Sequence, residues 1–253
     1  MTLTLLPFFF LVTALLYAIA GFGGGSTYLA LLVLTDIPFQ IIPIIALICN
    51  LAVVSTNLCY FVWKKESFFL RTLPFIITSI PCAYLGGRIV VDKSLFLVLL
   101  SFSLLAAGTR LLLTGREIFA PRTLLTKQLW LIGLGIGACL GFLSGIVGIG
   151  GGIFLSPLLY FLSWGTPRRI AAHASFFIFV NSLSGLWGQY SKLFPPNMEE
   201  ISPIFITTLL LAVSFGGYLG NHFRHIHLSL RHLQHVTAML ILVAAGKILW
   251  RFI

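Results

Sequence analysis

Two glycine runs carry the most distinctive chemistry in this sequence. Residues 21–25 read GFGGG and residues 148–152 read GIGGG, each set between strongly apolar stretches. Adjacent glycines disfavour helix and accept positive φ, so each run predicts a break in a helix. The segment after a break starts a new helix whose first N–H groups have no intrahelical partner. With the helix dipole behind them, such donors suit a small anion. The candidate binding residues are therefore Gly23, Gly24, Gly25 and Ser26 at the first break, and Gly150, Gly151 and Gly152 at the second.

Other side chains within apolar runs can add donors. Asn50 and Asn181 occupy similar places in the two halves, and Asn57 and Gln189 carry further amides. Polar groups at membrane depth line cavities or join helices. Ser175, Ser182 and Ser184 read as ordinary serines, since serine often bonds back to its own helix, with Ser175, shortly after the second break, kept among the candidate binding residues. His173, at the start of a long apolar segment, could donate to an anion and couple binding to protons, since imidazole titrates near neutrality. The histidines at 222, 225, 227, 232 and 235 are interleaved with Arg224 and Arg231 and read as a solvated basic loop without a metal. Arg88 reads as a residue that snorkels to the interface, or else attracts the anion.

The elements that position these groups must lie in lipid. Of 253 residues, 58% are hydrophobic and only 9% charged, with a mean hydropathy of +1.05. A soluble domain needs roughly a quarter charged residues. At about 20 residues per crossing, there is room for about eight to ten membrane segments. The net charge of +10 does not indicate nucleic acid, because the basic residues sit in short loops where they orient membrane spans. Cys49, Cys59, Cys82 and Cys139 lie in apolar runs and read as packing residues. The apolar stretch 5–16 with Ala18-Ile19-Ala20 resembles a cleaved signal. It lacks a preceding Lys or Arg and has a counterpart later in the chain, so it is expected to be a mature segment.

That counterpart belongs to an internal duplication. Arms at 3–20 and 128–147 precede the glycine runs, and shorter arms at 26–35 and 153–164 follow them. Proline follows each pair (Pro38, Pro167), then long segments at 39–62 and 169–190, then Tyr84-Leu85-Gly86 against Tyr218-Leu219-Gly220. The expected organisation is a membrane repeat at 1–113, a linker at 114–127 and a second repeat at 128–253. The fold class is all-α integral membrane, each half a glycine-broken or re-entrant helix pair plus three transmembrane helices. If each pair is a hairpin, the halves are inverted, and Lys64, Lys65, Arg71, Arg116, Arg122, Lys127, Arg168, Arg169, Arg224 and Arg231 share one face. If each pair crosses once, that bias mostly vanishes. Lys/Arg bias sets orientation, which favours inverted repeats with the basic face cytoplasmic and both termini outside.

Residues 21–25, the stretch GIGGGIFLSP at 148–157, Ala172-His173-Ala174-Ser175 and the duplication together resemble the sulfite exporter TauE/SafE family. The resemblance spans nearly the whole chain. It implies a multi-pass protein of the inner (plasma) membrane that moves sulfite, sulfonates or related sulfur-containing anions without ATP hydrolysis. One departure is Ala30 where the second copy has Pro157, so the two half-sites are not expected to be equivalent. The residues themselves support a secondary transporter working by alternating access at a midplane site, with a passive anion channel as the alternative. No Asp or Glu falls within an expected span, which disfavours cations and a carboxylate relay. A phosphate-binding loop, a zinc helix and a Ser-His-Asp set are lacking, so neither an enzyme nor a cofactor is expected. A small anionic substrate and membrane lipid are the expected partners.

Overall fold

In a computed structural model, the described residues are 3–35, 37–65, 69–113, 126–161, 166–192, 202–224, 238–239, 242–243 and 245–246. Most of the linker at 114–127 lies outside them, as do His225, His227, His232, His235, Arg116, Arg122 and Arg231. The described residues form helices and turns, without strands. In chain order the helices are α1 (Leu6–Ala20), α2 (Gly25–Val33), α3 (Ile42–Trp63), α4 (Phe69–Arg88), α5 (Lys93–Leu113), α6 (Thr126–Val147), α7 (Gly152–Phe161), α8 (Pro167–Lys192) and α9 (Pro203–Phe223).

This is an all-α membrane protein. Helices α3, α6, α8 and α9 are each long and apolar enough to cross a bilayer. Their surroundings invert the pattern of a soluble protein: Phe8, Trp63, Phe102, Trp187, Leu211 and Phe215 face outward, while Asn50, Asn57, Asn181 and Gln189 are buried. Of the cysteines, Cys49 is buried and Cys82 partly so, but Cys59 and Cys139 lie on the outer face rather than in helix packing. Helices α2 and α7 have nine and ten residues. At about 1.5 Å per residue they span roughly half of a ~30 Å hydrocarbon core.

Small residues set how the helices meet. Gly137, Gly141 and Gly145 of α6 press on the backbone of Phe75, Ser79 and Ala83 of α4, so the two helices run in step and parallel. Gly216 and Gly220 of α9 meet the carbonyls of Leu11 and Leu15 in the same manner, so α1 and α9 are parallel. Asn181 and Ser184 of α8 bond to Ser79 and Ile80 of α4, again in step. Gly217 of α9 packs on Val53 of α3, and Asn221 bonds to Asn57. Helices α3 and α8 run in opposite directions: Phe61 packs with Ala171 and Ala172, while Asn50 bonds to Ser182. Thus α1, α3 and α9 point one way, and α4, α6 and α8 the other.

Lys64, Arg168, Arg169 and Arg224 sit at the ends of α3, α8 and α9. Tyr60 draws the arginines to one face, with Arg168 5.9 Å and Arg224 4.8 Å from its ring centre. Arg88 lies at the opposite face, where Gly188 near the end of α8 approaches its backbone nitrogen.

Candidate functional site

Both glycine runs are helix breaks, and each is built by an identifiable terminator. At the first, Gly21 takes φ 84°, its N–H donates to Ala18 (3.0 Å) and the Phe22 N–H to Tyr17 (2.8 Å). That paired pattern is a Schellman motif. At the second, Gly148 takes φ 85° and donates to Ser144 at 2.8 Å, the simpler left-handed cap. The chain then turns back along the helix it has left: Gly24 lies beside Thr13, and Gly151 beside Ser144 and Leu140. New helices start there, with the Thr27 and Tyr28 N–H groups bonded to Gly24 and those of Phe154 and Leu155 to Gly151.

The two breaks meet. A Cβ on Gly25 would lie 2.5 Å from the Ile149 carbonyl oxygen, and one on Gly23 would overlap the Asn50 amide. A Cβ on Gly150 would overlap that same amide from the other side and lie 2.7 Å from Ser182 Oγ. Asn50 therefore stands between the runs. Its Nδ2 donates to Ser182 Oγ (2.9 Å) and, at longer range, to the Ile149 carbonyl (3.5 Å). Its Oδ1 is buried without a hydrogen-bond partner. A cavity of about 10 Å³ opens here, lined by Tyr17, residues 22–26, Asn50, Ile149, Gly152 and Ile178. Such a volume holds about one water-sized group.

Broken backbone in lipid needs its carbonyls satisfied, and polar side chains of other helices do this. The Phe22 carbonyl accepts from Asn57 (3.0 Å) and the Gly21 carbonyl from Ser175 (2.7 Å). Arg224 donates to Ala18 (2.8 Å) and Ile19 (3.2 Å). At the second break Gln189 donates to Gly145 (2.7 Å) and Ile146 (3.2 Å). Asn57 is itself held by Asn221 at 2.9 Å.

The candidate residues therefore separate by position. Gly23, Gly24, Gly25, Ser26, Asn50 and Gly152 line the cavity, and Gly150 and Gly151 form the turn behind it. Asn181 lies at a similar place to Asn50 in the sequence but points elsewhere, donating to Ser79 (3.1 Å) and Phe177 (2.9 Å). His173 is buried, with Nδ1 2.7 Å from Thr72 Oγ1 and no place in the cavity lining. Ser175, Ser182 and Ser184 do not bond back to their own helix. They reach Gly21, Asn50 and Ile80 respectively, because close helix packing brings foreign partners nearer than their own carbonyls.

Two residues differ more sharply from the sequence reading. Arg224 is no solvated loop residue: it is partly buried against the end of α1 and the rings of Tyr60 and Phe61 (4.6 Å). Burial, offset in part by Tyr60, pushes its guanidinium down to about 10, so it stays charged at neutral pH. Tyr17, unremarkable within an apolar arm, bonds through its hydroxyl to Thr27 (2.9 Å) and contacts Ser26 (3.4 Å) across the break. Only the fold-back of α2 makes that pairing visible.

Apolar exteriors around a small polar centre made of paired helix breaks define a multi-pass membrane transport protein. The chain belongs to the Sulfite exporter TauE/SafE family, whose model matches residues 5–248. It is 30% identical over 246 residues to the Probable membrane transporter protein y4hK of Sinorhizobium fredii (strain NBRC 101917 / NGR234), covering 95% of this chain and 96% of that one. It is also 24% identical over 237 residues to the Probable membrane transporter protein YunE of Bacillus subtilis (strain 168), covering 83% and 84%. No solved structure matches it significantly.

Proposed function

We propose that this transporter is a secondary carrier of a small sulfur-containing oxyanion, sulfite or an organosulfonate, across the inner (plasma) membrane, in the outward direction. The observation that carries the reading is the meeting of two half-length helices, N-terminus toward N-terminus, around Asn50. Each N-terminus acts as about half a positive charge. Two such ends, buried side by side, repel each other unless an anion lies between them. The anion would accept from the leading N–H groups of α2 and α7, the Ser26 hydroxyl and the Asn50 amide. Ser182 lets that amide change role. When the amide turns its NH₂ toward the anion, the serine hydroxyl can donate to the displaced Oδ1 instead of accepting.

The halves read as inverted repeats with hairpin breaks at 1–113 and 128–253. Supporting this, α1, α3 and α4 run opposite to their counterparts α6, α8 and α9. Because α1 and α3 share a direction, α2 must return the chain to the side where α1 began. The clustering of Lys64, Arg168, Arg169 and Arg224 on one face favours a cytoplasmic placement of that face. A cavity of about 10 Å³ is too small for a four-atom oxyanion, which accords with a closed state that must open to one side or the other. His173 and Ser175 then act behind the site, His173 as a group able to follow the proton and Ser175 as a tie on the break.

The test is counterflow in reconstituted vesicles. Labelled sulfite should accumulate transiently when unlabelled sulfite is loaded on the opposite side; uncoupled flux at channel rates would contradict a carrier. Asn50→Asp, nearly isosteric but negative, should reduce exchange by on the order of 100-fold, the cost of one buried charge-assisted hydrogen bond turned repulsive. Exchange at the wild-type rate in that variant would remove Asn50 from the site.

A further inference from the structure

The two breaks are tied down differently. The last carbonyls of α6 are held by a neutral amide, Gln189, whereas those of α1 are held by a cation, Arg224. Backbone carbonyls at a helix C-terminus suit a positive charge, but they do not use the whole guanidinium. Nε and Nη2 are engaged, and Nη1 is buried with no hydrogen-bond partner. Every guanidinium nitrogen is a donor in the plane of the group and none is an acceptor, and a buried donor without an acceptor is costly. Nearby charge makes this worse, because Arg168 lies over the same Tyr60 ring and acts repulsively on Arg224. The faces of Tyr60 and Phe61 attract the cation, yet they leave the in-plane edge of Nη1 unused. An oxyanion is the acceptor that suits a guanidinium edge best.

The position adds a second argument. A Cβ on Gly21 would lie 2.8 Å from Arg224 Nη2, so the guanidinium touches the turn that opens the first break. Along that turn Phe22 is a neighbour in the chain and already lines the cavity. From Arg224 to the glycine centre is therefore one turn of backbone.

We propose that Arg224 is the charge-selecting residue on the face where α3 and α9 end, taking a small oxyanion on Nη1 beside Gly21 before it reaches the glycine centre. This rests on the transport reading above and assigns that reading a recruiting residue outside the central cavity. It makes the two sides of the carrier unequal, since the other break has an uncharged amide where this one has an arginine.

Sulfite counterflow by wild-type protein, Arg224→Gln and Arg224→Lys, at about 20 and about 300 mM salt, tests the proposal. The glutamine variant should raise KM about tenfold or more, as loss of a charged hydrogen bond does, with maximal rate within about twofold. Its KM should also lose the salt dependence of the wild type, and lysine should restore part of both. An Arg224→Gln protein with unchanged KM, lower maximal rate and lower thermal midpoint would reduce Arg224 to a cap on α1 and overturn the proposal. Should the glutamine variant not fold, a wild-type KM indifferent to salt overturns it as well. A wild-type protein without saturable sulfite flux overturns the carrier reading itself, and this inference with it.

Discussion

Gly25→Ala is expected to abolish exchange, reducing it on the order of 100-fold, in a protein that still inserts and remains monodisperse. Alanine is the better helix former by about 1 kcal/mol, and Gly25 has no positive φ to lose. On local grounds the substitution should stabilise α2. Its methyl group, however, would meet the Ile149 carbonyl oxygen at 2.5 Å and its carbon at 3.2 Å. Both are backbone atoms of the other break, and neither can swing aside as a side-chain end would. Overpacking of this kind costs about 1–3 kcal/mol, and here it is relieved by moving the two N-termini apart. The measurement is sulfite counterflow beside a thermal melt in detergent. Lost flux with a near-normal melt supports the meeting of the breaks; full flux contradicts it.

The second large effect concerns stability. Gly141→Ala should lower the stability of the α4–α6 pair by at least about 1–3 kcal/mol, because its Cβ would lie 2.6 Å from Ser79 Cα and 2.9 Å from Ser79 C. Gly135, on the same helix, has nothing within 4 Å of the corresponding point. Gly135→Ala should therefore be neutral or stabilising by up to about 1 kcal/mol. Thermal unfolding of the two variants side by side checks this. Equal melting temperatures would mean that α6 does not approach α4 as closely as described.

Glycine positions were readable in the sequence because a break depends on what glycine itself lacks, a side chain. The starts of α2 and α7, at Gly25 and Gly152, follow from the runs that precede them to within one residue, whereas their ends at Val33 and Phe161 fall short of the expected 35 and 164. Which polar side chains face the centre was less readable. Asn50 and Asn181 occupy only similar places: the glycine runs are 127 residues apart, which sets Asn50 against Phe177, and in the fold Asn50 reaches the cavity while Asn181 bonds to Ser79. Arg224 follows an apolar helix and so resembles an interfacial loop residue. That it caps α1 depends on α1 and α9 lying parallel in contact, a pairing between residues some two hundred positions apart in the chain. Hydroxyl partners are hidden from the sequence for a related reason. Where glycines let backbones approach closely, the nearest acceptor for Ser175 or Ser184 lies on a neighbouring helix.

The central claim is that an oxyanion sits between the two helix N-termini, and diffraction from crystals grown with selenite tests it most directly. Selenite is a close analogue of sulfite whose heavy atom can be located by its anomalous signal. One strong peak is expected within hydrogen-bonding reach of the Gly25 and Ser26 N–H groups and the Asn50 amide, with the cavity enlarged around it. A selenium site elsewhere in the protein, with residues 22–26 and Gly152 closed on each other as before, would contradict it.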